Sequence, residues 1–174
     1  RMNKKSIIDD ICEQLEREKQ TAEAAAASAR EGATHEDAKA ENQYDTRGLE
    51  ASYLAGAQAE RVMNLAQSLH KFQNLVIRNY ESADKIGLTA LVEIDDGESQ
   101  QKYFLANDAG GMKIQIKNET VMVITPQSPI GKALMNKSLG DFIEIKVKKE
   151  TREYEISSIE WRRESSVASK GDSY

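Results

Sequence analysis

The 174-residue chain is poor in cysteine, tryptophan and aromatic residues generally: one Cys, one Trp and 6% aromatics. It also lacks any apolar run approaching the ~18 residues that a membrane-spanning helix needs. A single cysteine, Cys12, excludes an internal disulfide and fits a reducing cytoplasm, the expected location. Cys12 is also remote in sequence from His35 and His70, and the three show no zinc-ligand spacing. No excess of positive charge is present. Lys and Arg number 24 against 29 Asp and Glu, for a net charge of −5, and the basic residues are interspersed with acids. A protein that grips duplex DNA without help usually carries a basic stripe, so a protein partner is expected here instead. The only glycine-rich loop candidate, Asp108-Ala109-Gly110-Gly111, reads as a turn rather than a phosphate cradle. The lysines at the N-terminus are followed by no apolar stretch, which predicts no secretory leader.

What is present is helix first. Residues 4–31 read as one helix without interior Pro or Gly, with Gly32 as its stop. Ile8, Ile11, Leu15, Ala22, Ala25 and Ala29 recur at three- and four-residue steps, a narrow coiled-coil seam interrupted only at Glu18. A second helix is expected from about His35 to Asn74, turning Leu49, Ser52, Gly56, Ala59, Met63, Ala66 and Leu69 inward. Small residues on both helices suit a slender antiparallel hairpin, a rod of roughly 40 Å at ~1.5 Å per residue. Tyr44 and Tyr53 are expected to pack on its outer half, and His70 to lie on a helix surface.

After about residue 80 the period shortens. Leu88–Ile94, Gln101–Leu105, Met112–Ile116, Thr120–Ile124, Phe142–Val147 and Glu153–Ile159 read as strands, with turns at Asp95-Asp96-Gly97, Asn107–Gly111, Lys117-Asn118 and Lys148–Thr151. Ser128–Met135 fits one short helix, with Ser128 as N-cap and Pro129 at the first helical position. The class is therefore α+β: a helical hairpin followed by a mostly antiparallel sheet with one helix. Trp161 is expected to close the core, and residues 164–174 to form a polar tail.

The feature with most chemical content is THEDAKAENQY, Thr34–Tyr44, which sets Glu36, Asp37 and Glu41 within six residues at the expected hairpin tip. Carboxylates suit Mg²⁺, which prefers hard oxygen ligands and usually takes one or two of them. If the segment is helical, Asp37 and Glu41 share a face at i,i+4; if it is a loop, Glu36 can substitute. A structural reading stands beside this one. Thr34-x-x-Asp37 also reads as a capping box opening the second helix, with acids complementing the helix dipole. His35 beside these acids reads as a solvent-exposed loop histidine.

Two segments carry a family resemblance. SPIGKALMNKSLGD, Ser128–Asp141, followed by a strand and EYEISSIE, resembles the C-terminal domain of the bacterial Gre transcript-cleavage factors. DAKAENQY, Asp37–Tyr44, is similar to the same family's hairpin-tip signature, Asp-Leu-Lys-Glu-Asn-Ala-Glu-Tyr, and the Ala29-Arg30-Glu31 before it recurs there too. The resemblance covers roughly residues 4–161 in the family's order of parts. It implies a coiled-coil hairpin over residues 1–80, an FKBP-like domain over 81–163 that docks on the largest subunit of RNA polymerase, and a tail over 164–174. It further implies that the hairpin enters the secondary channel, where Asp37 and Glu41 help hold a catalytic Mg²⁺ and promote cleavage of backtracked RNA at its 3′ end. The factor would then be no enzyme itself, and would bind neither membrane nor free DNA. Glu36, Lys39 and Tyr44 would support the tip, and Ser128, Pro129 and Ile130 would belong to the docking region, although Ser128 is also explained as a helix cap.

The match departs from the pattern at one position. Without gaps, Ala40 falls where the second tip acid should be and Glu41 lies one residue later. Either a local shift restores the acid or the role is lost, and a secondary-channel regulator that does not promote cleavage is the alternative. A prolyl isomerase is disfavoured, since residues 81–161 offer only Tyr103, Phe104, Phe142, Tyr154 and Trp161 to line a pocket. A plain coiled-coil adaptor is a third reading, in which the tip is dispensable.

Overall fold

The computed structural model describes residues 3–34 and 47–160, the side chains of 33–34 and 47–52 aside. Its elements are α1 (Lys4–Thr34), α2 (Arg47–Gln73), β1 (Leu91–Asp95), β2 (Gln100–Leu105), β3 (Lys113–Ile116), β4 (Glu119–Ile124), α3 (Pro129–Leu134), β5 (Phe142–Val147) and β6 (Glu150–Ile159). The α+β class is as expected: two long helices, then a largely antiparallel sheet with one short helix. Trp161 and the tail from residue 164 lie outside the described residues. Among those described, no helix is long and apolar enough to cross a membrane. The chain divides into two compact units, Ile7–Leu75 and the remainder, which joins residues up to Ser6 with those from Val76 onward.

In the helical unit, α1 follows the expected seam. Ile8, Ile11, Leu15, Ala22 and Ala29 are buried, together with Ala26, while Ala25 is half-buried. Gly32 does not stop the helix, which runs on to Thr34. One glycine in a long helix costs only about 1 kcal/mol, too little to end it alone. The phase expected for α2 is corrected. Of the residues expected inward, Leu69 is buried and Ala59 half-buried, Gly56, Met63 and Ala66 are exposed, and the side chains of Leu49 and Ser52 lie outside the described residues; the inward positions are Ala55, Gln58, Val62, Leu65, Leu69 and Phe72. That set also steps by three and four residues, and it gathers the large apolar side chains. The expected register lies about one residue out of phase, which leaves Gly56, Met63 and Ala66 facing water. Tyr53 is 71% exposed rather than packed. His70 is exposed, as expected, and its carbonyl accepts from both the Asn74 backbone (3.1 Å) and the Asn74 side chain (2.8 Å) where α2 ends.

The sheet runs in the order β3-β4-β2-β1-β6-β5. All neighbours are antiparallel except β2 and β4, whose parallel register sets Lys102 opposite Val121. Alternation along the strands sends Val92, Ile94, Tyr103, Leu105, Ile143 and Ile156 into one core, closed by Leu134 of α3. Two strands differ from expectation at their starts by more than one residue. The first begins at Leu91 rather than Leu88, because Thr89 is buried at φ 67. Its hydroxyl accepts from Arg78 N (2.9 Å) and donates to Arg78 O (3.3 Å), while its own N–H donates to Leu105 O (2.7 Å). A β-branched residue in the left-handed region costs about 1–3 kcal/mol, so these bonds hold a conformation that would otherwise relax. The last strand begins earlier than expected, at Glu150, because Lys148 at φ 58 makes a two-residue turn that pairs Val147 directly with Glu150.

The first turn of α1 belongs to the sheet-bearing unit. Lys4, 5% exposed, donates to Arg78 O at 2.6 Å, pairs with the Glu160 carboxylate and lies 5.1 Å from the Tyr80 ring centroid. The Arg78 guanidinium sits 4.5 Å from the same centroid, and the Tyr80 hydroxyl donates to Leu88 O at 2.7 Å. Burial holds the Lys4 ammonium below its ordinary pKa, and the Glu160 partner opposes that shift without cancelling it.

Losing one member of a buried pair strands the other charge. Lys4→Met is therefore expected to cost about 3 kcal/mol in urea unfolding, and Lys4→Met with Glu160→Gln to recover at least half of that. Additive losses would show that the pair is not coupled. Because folded Lys4 binds its proton less tightly than unfolded Lys4, its desolvation penalty is complete at neutral pH. The penalty is relieved as pH rises through the folded pKa toward the ordinary lysine value.

Candidate functional site

The acids that attract attention in the sequence, Glu36, Asp37 and Glu41, lie outside the described residues, as do His35, Lys39 and Tyr44. What is described is how the chain approaches and leaves them. Thr34 is the last residue of α1 rather than a cap described on α2, and the described part of α2 begins at Arg47. The helices lie side by side where Arg61 meets Glu18 at 3.5 Å. From that level α1 runs about 24 Å to Thr34 and α2 about 21 Å back to Arg47, at ~1.5 Å per residue. The two described arms are therefore of nearly equal length.

Ser128, Pro129 and Ile130 open α3. Ser128 is the N-cap in extended conformation (φ −67°, ψ 155°), as expected. Its Oγ accepts from Gly131 N at 3.0 Å and donates to Thr125 O at 2.7 Å, so its hydrogen-bonding capacity is largely taken up inside the fold. Pro129, at the first helical position, is exposed; Ile130 is half-buried and packs against the core. The residue that the sequence reading passed over is Gly131. A Cβ there would fall 1.9 Å from Thr125 O and 2.9 Å from Ser128 Oγ. Only glycine lets the helix start this close to the chain leaving β4. Its signal was present in Ser128-Pro129-Ile130-Gly131, but the need for glycine comes from a backbone contact that sequence spacing does not reveal.

Other polar groups are explained by structure. Asp96 accepts from Glu98 N (2.9 Å) and Ser99 N (2.8 Å), and these backbone bonds hold its carboxyl below the ordinary range. Gly97, at φ 90, completes the turn expected at this position. The Cys12 thiol is pushed up by burial and by Asp9, which opposes thiolate chemistry. Lys102 pairs with Glu93 at 3.6 Å and also with Glu119. A groove of about 410 Å³ lies beside Tyr80, Glu81, Leu139, Ser157 and Glu160. Among the described residues no group of three or more His, Cys, Asp or Glu could hold a metal ion. This unit also exposes apolar residues, notably Phe142 (60%) and Leu139 (42%).

Residues 81–161 match the family model described as transcription elongation factor, GreA/GreB, C-terminal. Transcription inhibitor protein Gfh1 of Thermus thermophilus is 28% identical over 163 residues, spanning 89% of this chain and 94% of that one. Transcription elongation factor GreA of Rickettsia felis is 33% identical over 78 residues, 45% of this chain and 44% of that one. Among solved structures, Gfh1 of Thermus thermophilus aligns over 85% of this chain and 93% of its own, at 24% identity and a TM-score of 0.36. A GreA/GreB factor from Nitrosomonas europaea aligns over 65% and 93%, at 11% identity and a TM-score of 0.35. The relationship rests on the sequence matches.

The α3 entrance yields a stability prediction. Ser128→Ala is expected to cost about 1 kcal/mol, as loss of an N-cap does. Gly131→Ala should cost at least ~2 kcal/mol, because the added methyl meets a backbone carbonyl. Urea unfolding measures both. A Gly131→Ala protein as stable as the parent would show that the chain at Thr125 moves aside freely.

Proposed function

We propose, for a chain whose residues 81–161 are a domain of the GreA/GreB family and whose relatives include the Gfh1 and GreA transcription factors, that it binds RNA polymerase and presents the acids of residues 35–46 inside the secondary channel. The observation that carries this reading is the family match over the sheet-bearing unit. Two long helices leading to an acidic connecting segment support it. In this reading residues 81–160 dock outside the channel, with the exposed Pro129 and neighbouring Ile130 in the docking region, and the helices carry the acids inward. The factor is an accessory to the polymerase's own chemistry.

The donor set fits a hard cation. Asp37 and Glu41 supply carboxylate oxygens, Glu36 offers a third, and one or two protein carboxylates are what Mg²⁺ usually takes. A Mg²⁺ ion held there supplies charge neutralisation and an activated water for phosphodiester hydrolysis. Lys39 and Tyr44 position the acids in this reading, and cleavage of backtracked transcripts is the activity it assigns.

A second reading has its own observation in favour. The protein aligned over 89% of this chain is named a transcription inhibitor, and Ala40 occupies the position where the Gre pattern has its second acid. In that reading the chain occupies the channel and slows the polymerase without promoting cleavage.

An assay on backtracked elongation complexes separates the two. Cleavage stimulation is expected from the wild type. Asp37→Ala and Glu41→Ala should each lower it at least about ten-fold while leaving polymerase binding intact. Binding with no cleavage, together with slowed nucleotide addition, would overturn the cleavage reading in favour of inhibition. Failure to bind polymerase would overturn both.

A further inference from the structure

We infer that the helical unit is built in two parts, divided at the Glu18–Arg61 layer, and that the part toward residues 35–46 opens on its own while the other stays packed. The seam explains why. Among the described residues of Ile7–Leu75, every large buried apolar side chain lies on one side of that layer: Ile7, Ile8, Ile11 and Leu15 on α1, Leu65, Leu69 and Phe72 on α2. On the other side only alanines are buried: Ala22, Ala26 and Ala29. The facing residues of α2 that are described, Ala55, Gln58 and Ala59, are half-buried, and Tyr53 and Leu54 turn to solvent.

The dividing layer is polar. Glu18 falls on a seam position by its spacing from Leu15 and Ala22, yet its side chain is 46% exposed and meets Arg61, itself 57% exposed, at 3.5 Å. Exposed pairs contribute little to stability. A solvent-open groove of about 460 Å³ runs beside this layer, lined by Gln14, Arg17, Glu18, Ala22, Gln58 and Arg61 among others. Polar residues at a core position cost stability and set register. Here the layer fixes how the helices align and isolates one stretch of packing from the other.

Among the described residues, opening of the far part exposes almost no large apolar side chain, so it demands much less than opening of the near part. The run Ala24–Ala27 favours helix strongly, but each far arm, once parted from its neighbour, is a short isolated helix that is only marginally stable in water. Parting therefore registers as faster amide exchange. The division follows from side-chain volume and does not depend on the polymerase reading. Resting on that reading, one consequence is that the described helix ends leading to residues 35–46, at Thr34 and Arg47, belong to the compliant part.

Hydrogen–deuterium exchange of the full chain tests this. Peptides from 19–32 and 53–61 are expected to exchange at least ten-fold faster than those from 8–15 and 64–72, with a step at Glu18 and Arg61. In Glu18→Leu with Gln58→Leu, which fills the polar layer, the far peptides should slow at least three-fold while the near ones are unchanged. Uniform protection, or a smooth gradient from the helix ends with no step, would overturn the inference, whatever the double variant does. A folded double variant with unchanged far exchange would also overturn it.

Discussion

Side-chain volume along the helical seam is the constraint on which the N-terminal part of this protein depends. Ile7, Ile8, Ile11, Leu15, Leu65, Leu69 and Phe72 supply its large buried groups, and beyond Glu18 and Arg61 the buried residues among those described are alanines. A pair of helices this thin has no broad core to fall back on, so each large apolar residue counts for more than it would in a globular domain. The same thinness keeps the far end slender. A slender end is what a protein needs if it is to put carboxylates into a narrow channel of another macromolecule, and bulkier seam residues would stabilise the rod at the cost of its width.

The sheet-bearing unit obeys a different constraint, close approach of backbone to backbone. Thr89 is held at positive φ by three hydrogen bonds, and Gly131 starts α3 in space that no side chain could share. These two positions let the chain turn into β1 and leave β4 tightly enough for Leu134 to close the core. The buried Lys4, paired with Glu160 under the Tyr80 ring, adds an ionic contact to the same unit.

Much of this was legible in the sequence, and the exceptions have physical causes. Strand positions followed from period-two alternation, and the Ser-Pro entrance to α3 from cap chemistry, because both are local. The phase of α2 was misread because two heptad-spaced stripes compete on that helix. The small residues Gly56, Met63 and Ala66 resembled a close-packed seam leading to Leu69, but the stripe that reaches Leu69 through Val62 and Leu65 and ends in Phe72 buries more surface and wins. The late start of the first strand, at Leu91 rather than Leu88, and the need for glycine at 131 depend on contacts with Arg78 and Thr125, which no local pattern encodes. Of the candidate site, Ser128, Pro129 and Ile130 open α3, and the Ser128 cap was anticipated. The acids at 36, 37 and 41 remain a reading of composition, spacing and family resemblance, since they lie outside the described residues.

The central claim is that residues 35–46 work inside RNA polymerase, near its catalytic metal. A photo-crosslinking residue placed at position 37 in the full chain, bound to a backtracked elongation complex, tests it most directly. The account predicts crosslinks to the RNA 3′ end and to polymerase segments around the catalytic Mg²⁺. Crosslinks confined to the outer surface of the polymerase, with the complex otherwise intact, would contradict it.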